Sequence, residues 1–120
     1  MTNSRSFLNV CIAYTSREEM SHAVKEVAVL CENGTIDPAN VTEKTIASHL
    51  YTKASPDPEL LIRTSGEVRL SDFLLWQTSH SILSFINVLW PDFSIWNLLA
   101  CMVYYQVQCR SIPHKKLVVM

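Results

Sequence analysis

With 120 residues, 48% of them hydrophobic and 18% charged, the chain has the length and apolar content of one small globular domain. A domain of this size leaves much apolar surface uncovered, so a sequence this poor in charge is expected to rely on a neighbour, either a second subunit or another part of the same fold. A formal net charge of −1 excludes a whole-surface field that gathers nucleic acid or anionic lipid, so any anion site must be local.

Cys11, Cys31, Cys101 and Cys109 form no Cys-x-x-Cys pair and have no histidine at ligand spacing, so neither a zinc site nor a disulfide framework is signalled. They read as buried free thiols of a reducing compartment. The polar opening and its short apolar run are too brief for a signal peptide, and the chain is read as not secreted. On that reading the Asn-x-Thr matches at Asn33 and Asn40 are turn residues rather than glycosylation acceptors.

Residues 7–14 are a nearly continuous apolar run, the pattern of a strand buried on both faces of a parallel sheet. Ser16 and Glu19 stand at capping-box spacing before a helix whose apolar stripe is Met20, Ala23, Val24, Val27 and Cys31. Asn33 and Gly34 end it. Thr42 caps a short helix carrying Ile46, Ala47 and Leu50, and the proline-rich stretch to Pro58 breaks that helix. A second strand covers residues 59–63, a loop follows, and Ser71 with Asp72 caps a helix bearing Phe73, Leu74, Leu75 and Trp76. Residues 82–90 predict a further short strand interrupted at Asn87, and Ser94 caps a last helix that runs to about Gln108. Its apolar stretch, residues 95–107, is well short of the ~20 residues of a membrane span. The order of elements predicts an α/β fold with a mostly parallel sheet flanked by helices.

In such folds ligands collect beyond the carboxyl ends of strands, where helix N-termini offer unpaired N–H groups. Arg63 falls at such an end, Arg69 follows six residues later, and Ser71 stands at the expected helix start. Two guanidinium groups, a hydroxyl and a helix start on one loop suit a diphosphate. Gly66 lets the backbone approach closely, and Glu67 orients an arginine or helps hold a metal-bound phosphate. By spacing alone these residues equally fit solvated arginines beside an ordinary helix cap.

The identity of the residues adds to this. The run RTSGEVRLSDFLLWQ at residues 63–77 closely resembles the signature of the cis-prenyltransferases, the undecaprenyl and dehydrodolichyl diphosphate synthases, and VLWPDF at residues 88–93 resembles the family's next segment. The likeness extends from about Phe7 to about Tyr105, which makes residues 1–109 a partial cis-prenyltransferase domain and residues 110–120 a divergent tail. It implies that Arg63, Arg69, Leu70 and Ser71 bind the diphosphate of isopentenyl diphosphate, supported by Glu67 and Gly66. The implied reaction is magnesium-assisted condensation with an allylic substrate, farnesyl diphosphate, to give long-chain dehydrodolichyl diphosphate for dolichol synthesis and protein glycosylation.

The family's aspartate segment, which holds the allylic diphosphate and magnesium, has no match here; only Gly34 and Gly66 are glycine and neither follows an aspartate. The resemblance thus implies no catalytic residue or metal ligand in this chain, and a truncated or alternatively spliced form or a gene-model fragment. Ile82 stands where bacterial relatives carry glutamate, and Ser65 replaces a common glycine; both look like the eukaryotic catalytic subunit. That likeness implies a hetero-oligomer with a subunit related to the Nogo-B receptor, at the cytoplasmic face of the endoplasmic reticulum membrane, with peripheral membrane association. Two function classes follow: a prenyl-transferring enzyme or part of one, and a catalytically inactive interaction module that binds the partner subunit. His22, His49, His80 and His114 read as ordinary helix or surface residues, Tyr14, Thr15 and Arg17 as turn and cap residues, and Trp76, Trp90 and Trp96 as core or subunit-contact aromatics.

Overall fold

Thr15 opens the first helix. Its backbone is extended and its hydroxyl accepts from Glu18 N–H at 3.4 Å, so the cap falls one residue before the expected Ser16. The computed structural model describes residues 6–111 of the chain and divides it, between residues 54 and 55, into two compact units.

In the first unit α1 spans Ser16–Glu32 and buries Ser16, Glu19, Ala23 and Val27, a single stripe at helical spacing. Val24, expected on the stripe, is exposed, and Glu19 takes a place on it. The Glu19 carboxylate is fully buried, accepts from the Tyr51 N–H at 2.8 Å and from the Tyr14 hydroxyl, and so has partners on both sides of the helix start. Glu18 receives the Tyr51 hydroxyl at 2.9 Å. Asn33 caps the C-terminus and Gly34 follows at φ +72°, with its N–H bonded to the Cys31 carbonyl, as the Asn-Gly pair predicts. Asp37 caps a 3-10 turn at Pro38–Asn40, and Thr42 with Thr45 forms a reciprocal capping box for α2, Glu43–Ala47. Ala23, Val27 and Leu50 form this unit's apolar core.

The strand expected at residues 7–14 does not form. Phe7, Leu8, Val10 and Ile12 are 70–88% exposed, and no described strand pairs with them. A segment patterned for burial on both faces needs neighbours on both edges, and its hydrogen-bonding groups otherwise stay with water. Cys11 in this segment is exposed, Cys31 and Cys109 are half-buried, and only Cys101 is buried, so the expectation of four buried thiols holds for one.

In the second unit β1, Leu60–Arg63, and β2, Ile82–Phe85, pair in parallel with Leu60 opposite Ile82 and Arg63 opposite Phe85. The predicted α/β class with a parallel sheet and flanking helices is what the structure contains. β2 is shorter than the predicted 82–90 run, because residues 86–88 leave the ladder to bond the loop after β1 and Trp90–Asp92 forms a 3-10 turn. Helix α3, Ile95–Ser111, begins where Ser94 predicts, although the capping is reversed: the Asn97 side-chain oxygen accepts from Ser94 N–H at 2.8 Å and from its hydroxyl at 2.7 Å. α3 extends past the expected end at Gln108 and takes in Arg110; residues 112–120 of the expected tail, with His114, lie outside the described residues.

α3 packs on β2 through Cys101, whose sulfur receives the Ser84 hydroxyl at 3.4 Å, and Tyr105 bonds Glu59 at the start of β1. The Glu59 carboxylate beside it, and then Cys109, push the Tyr105 hydroxyl above its ordinary pKa. The opposite face of α3, carrying Ile95, Trp96, Leu99, Met102, Val103 and Val107, is open to solvent. Trp90 and Trp96 are about three-quarters exposed, so in this chain neither is a core residue, and Trp76 is half-buried. No helix among the described residues is long and apolar enough to cross a membrane.

Candidate diphosphate loop

β1 ends on Arg63, and the chain then folds back. Ser65 and Gly66 lie in the left-handed region at φ +72° and +70°, and their N–H groups bond the Val88 and Ile86 carbonyls at 2.8 and 2.9 Å. This turn carries Glu67 to Ser71 back toward the end of β1. One terminal nitrogen of Arg63, Nη1, donates to the Ser71 hydroxyl at 2.8 Å and to the Arg69 carbonyl at 2.6 Å. Arg69 itself pairs with Glu67 at 2.9 Å, with the two side chains 64% and 44% exposed, so this pair is solvent-screened and contributes little to stability. It does fix the direction of a guanidinium that is otherwise free to sweep through water.

A cavity of about 260 Å³ lies beside these groups, lined by Leu61, Ile62, Arg63, Thr64, Leu70, Ser71 and Phe73. Its lining is partly polar and cationic and partly apolar, which suits a ligand with an anionic head and a short hydrocarbon body. Of the six residues singled out in the sequence, Arg63, Leu70 and Ser71 line this cavity. Arg69 and Glu67 pair on the same loop, and Gly66 forms its turn. The sequence pointed less clearly to Thr64 and Phe73. The first stood in a stretch read only as loop, and the second was assigned to the apolar face of a helix.

That helix is absent. From Ser71 to Ser81 the chain makes successive turns, with Phe73 N–H bonded to the Leu70 carbonyl and Thr78 N–H to the Leu74 carbonyl. Ser71, Asp72 and Leu74 all have positive φ, at 49°, 62° and 48°. The Ser71 hydroxyl, expected to cap, instead accepts the Arg63 guanidinium, and Ser71 stands outside helical geometry. The helix N-terminus expected beside the arginines is therefore absent, and the polar groups gathered there belong to side chains and to the Arg69 carbonyl. At Gly66 the space above the α-carbon is taken by Asn87.

The first unit holds a larger cavity, about 500 Å³, among His22, Lys25, Glu26, Val29, Leu30 and His49. Its surface is mainly carbon, from Val29 and Leu30 and from the carbon portions of side chains that carry ionisable groups. His22 lies 3.8 Å from Glu26 and its ring rests against Tyr51 at 5.1 Å.

A family model described as undecaprenyl diphosphate synthase matches residues 1–112. The chain is 56% identical over 104 residues to the dehydrodolichyl diphosphate synthase complex subunit of Homo sapiens, covering 87% of this chain and 31% of that protein. It is 45% identical over 108 residues to an isoprenyl transferase of Prochlorococcus marinus, covering 90% of this chain and 40% of that one. The crystal structure of lavandulyl diphosphate synthase from Lavandula x intermedia, solved with dimethylallyl diphosphate, superposes with a TM-score of 0.76 at 38% identity, over 79% of this chain and 41% of that chain. The chain thus spans about a third to two fifths of the length of the relatives it matches. With nearly its whole length under the family model and a fold shared with a solved member, this chain belongs to the undecaprenyl diphosphate synthase family of prenyltransferases.

Proposed function

We propose that this chain supplies the isopentenyl diphosphate-holding part of a cis-prenyltransferase that makes long-chain dehydrodolichyl diphosphate. The observation that carries this reading is the meeting of Arg63 with Ser71 and the Arg69 backbone at the mouth of a half-apolar cavity. A diphosphate entering here takes hydrogen bonds from the Arg63 guanidinium and the Ser71 hydroxyl, and Arg69 turns from Glu67 toward it. The isopentenyl group then lies against Leu61, Ile62 and Phe73. In the reaction, the isopentenyl double bond attacks the allylic carbon of farnesyl diphosphate, the allylic diphosphate leaves, and a proton is lost to form the cis double bond. The share of this chain is to bind and orient the nucleophilic substrate, which in such chemistry is a large part of the catalysis.

Magnesium is implied by the resemblance. Among the described residues, however, no group of three or more His, Cys, Asp or Glu side chains is placed to hold a metal ion, and Glu67 is engaged with Arg69. No step is assigned to a metal ion. The reading includes a partner subunit, since the human relative is a complex subunit by name, and a setting at the cytoplasmic face of the endoplasmic reticulum.

Titration calorimetry with isopentenyl diphosphate on the wild type and an Arg63→Ala, Arg69→Ala variant tests the reading. Loss of both guanidinium groups is expected to weaken binding at least about a hundredfold, since each charged hydrogen bond contributes roughly 1.5–3 kcal/mol. Equal binding by the two proteins removes the diphosphate from this loop. A second reading, a non-catalytic module that binds the partner subunit, is favoured by the solvent-open apolar face of α3. Incorporation of labelled isopentenyl diphosphate in the presence of farnesyl diphosphate, magnesium and the partner subunit separates the two: polyprenyl product excludes the second.

A further inference from the structure

Gly66 stands midway between Arg63 and Arg69, at φ +70°. A Cβ built on it would lie 2.7 Å from the Asn87 side-chain oxygen and 3.2 Å from its carboxamide carbon, closer than a Cβ ordinarily comes, so the end of the Asn87 side chain would have to shift. Around this point the backbone is held by three bonds: Ile86 N–H to the Arg63 carbonyl at 2.9 Å, Gly66 N–H to the Ile86 carbonyl at 2.9 Å, and Ser65 N–H to the Val88 carbonyl at 2.8 Å. These bonds go to the residues flanking Asn87. Between them the Asn87 carboxamide packs over the bare α-carbon of Gly66.

We propose that Asn87 is a positioning residue for the diphosphate loop: its side chain fills the space left by the missing side chain of Gly66, and this fit sets where Arg69 stands relative to Arg63. The proposal rests on the reading of the loop as a diphosphate clamp. Asn87 does not touch the cavity, so its action passes through the turn. Displacements well below the length of a bond matter to a clamp of this kind, because charged hydrogen bonds to phosphate need both guanidinium groups aimed at once.

The test uses the full 120-residue chain. Isopentenyl diphosphate affinity by calorimetry and hydrogen exchange at the Ser65 and Gly66 amides are measured for the wild type, Arg63→Ala, Asn87→Ala, Gly66→Ala and the Gly66→Ala, Asn87→Ala double variant. Gly66→Ala is expected to weaken binding about tenfold or more, from the clash and from alanine at positive φ. Asn87→Ala weakens it severalfold, and the double variant binds more tightly than Gly66→Ala because the clash is gone; this coupling is the signature of the fit. Asn87→Ala binding like the wild type, or a double variant no better than Gly66→Ala, overturns the proposal, while weak binding by Arg63→Ala keeps the clamp reading in place. Amide exchange that responds to the variants with no change in affinity also overturns it and leaves a packing contact. If the wild type fails to bind, or Arg63→Ala binds as well as the wild type, the clamp reading itself falls and the positioning role with it.

Discussion

Residues 15–20 and residues 71–76 begin alike, with a hydroxyl side chain, one or two acidic residues close behind and apolar residues after them, yet one becomes a helix start and the other a string of turns. At the first, Thr15 keeps its hydroxyl for the Glu18 N–H, and Glu19 is drawn into the interior by the Tyr51 backbone and the Tyr14 hydroxyl. Ala23 and Val27 then continue the stripe into the core. At the second, Ser71 accepts the Arg63 guanidinium, and Ser71, Asp72 and Leu74 take left-handed backbone angles. A helix start is a loan of polar groups to the backbone, stabilised by burial of the turns that follow. Where an arginine recruits the capping hydroxyl, the helix loses its start.

The largest expected effect tests what holds the first of these regions. Glu19→Ala leaves the Tyr51 N–H and the Tyr14 hydroxyl without their buried acceptor, and is expected to cost about 2–4 kcal/mol; the midpoint of urea denaturation followed by far-ultraviolet circular dichroism measures it. A Glu19→Ala protein as stable as the wild type would mean that the helix needs no distant partner.

The next effect appears with pH. Burial, followed by the hydrogen bond to Glu19, pushes Tyr14 up to about 12 from its ordinary value of 10.0. The folded protein therefore keeps this proton while the unfolded chain loses it. The stabilising contribution is intact below pH 10 and declines as pH rises toward 12. Tyr51, raised by its bond to Glu18, adds in the same direction. Thermal melting between neutral pH and the alkaline range is expected to show this decline, and Tyr14→Phe to flatten it.

A smaller effect sharpens the contrast directly. Thr15→Ala is expected to lower stability by about 0.5–1 kcal/mol as a lost cap, with fraying of α1 visible as faster amide exchange in its first turn. Ser71→Ala is expected to leave helical circular dichroism unchanged while weakening isopentenyl diphosphate binding. A fall in helicity from Ser71→Ala would make the two regions alike after all. Smallest is Ser65→Gly: Ser65 sits at φ +72°, where a side chain costs roughly 1–2 kcal/mol and glycine almost nothing. Partial offset by the greater chain entropy of glycine leaves a stabilisation below about 1 kcal/mol, read as a small rise in melting temperature.

These contrasts explain how much was legible beforehand. Local signals with local consequences came through: Asn33 and Gly34 ended α1, Thr42 capped α2, and two apolar runs separated by a crossover became a parallel pair. The loop residues Arg63, Leu70 and Ser71 were legible because residue identity carried them, and they do gather at one cavity. Features decided by distant groups were not legible. Residues 7–14 carry a strand pattern that needs neighbours the described structure does not supply. Glu19 looked like a cap partner and is a buried anchor, because Tyr51 arrives from 32 positions away. Asn87 looked like an interruption of a strand; its meaning depends on Gly66 folding against it.

The parallel ladder has a thermodynamic consequence for the arginine loop. Its paired residues are 22 positions apart, and the segment between the strands is the loop that forms the cavity mouth. Closing a loop of that length costs chain entropy before a four-residue ladder returns any stabilisation. Arg63 at one rim of the loop and Ser71 within it meet in the closed molecule. On the proposed reading a diphosphate that bridges them favours the closed molecules, and mass action then adds about 2.7 kcal/mol to their stability at a hundred times the dissociation constant. On the proposed reading isopentenyl diphosphate is also a folding ligand for this unit, and the midpoint of its unfolding should rise with the concentration of that ligand.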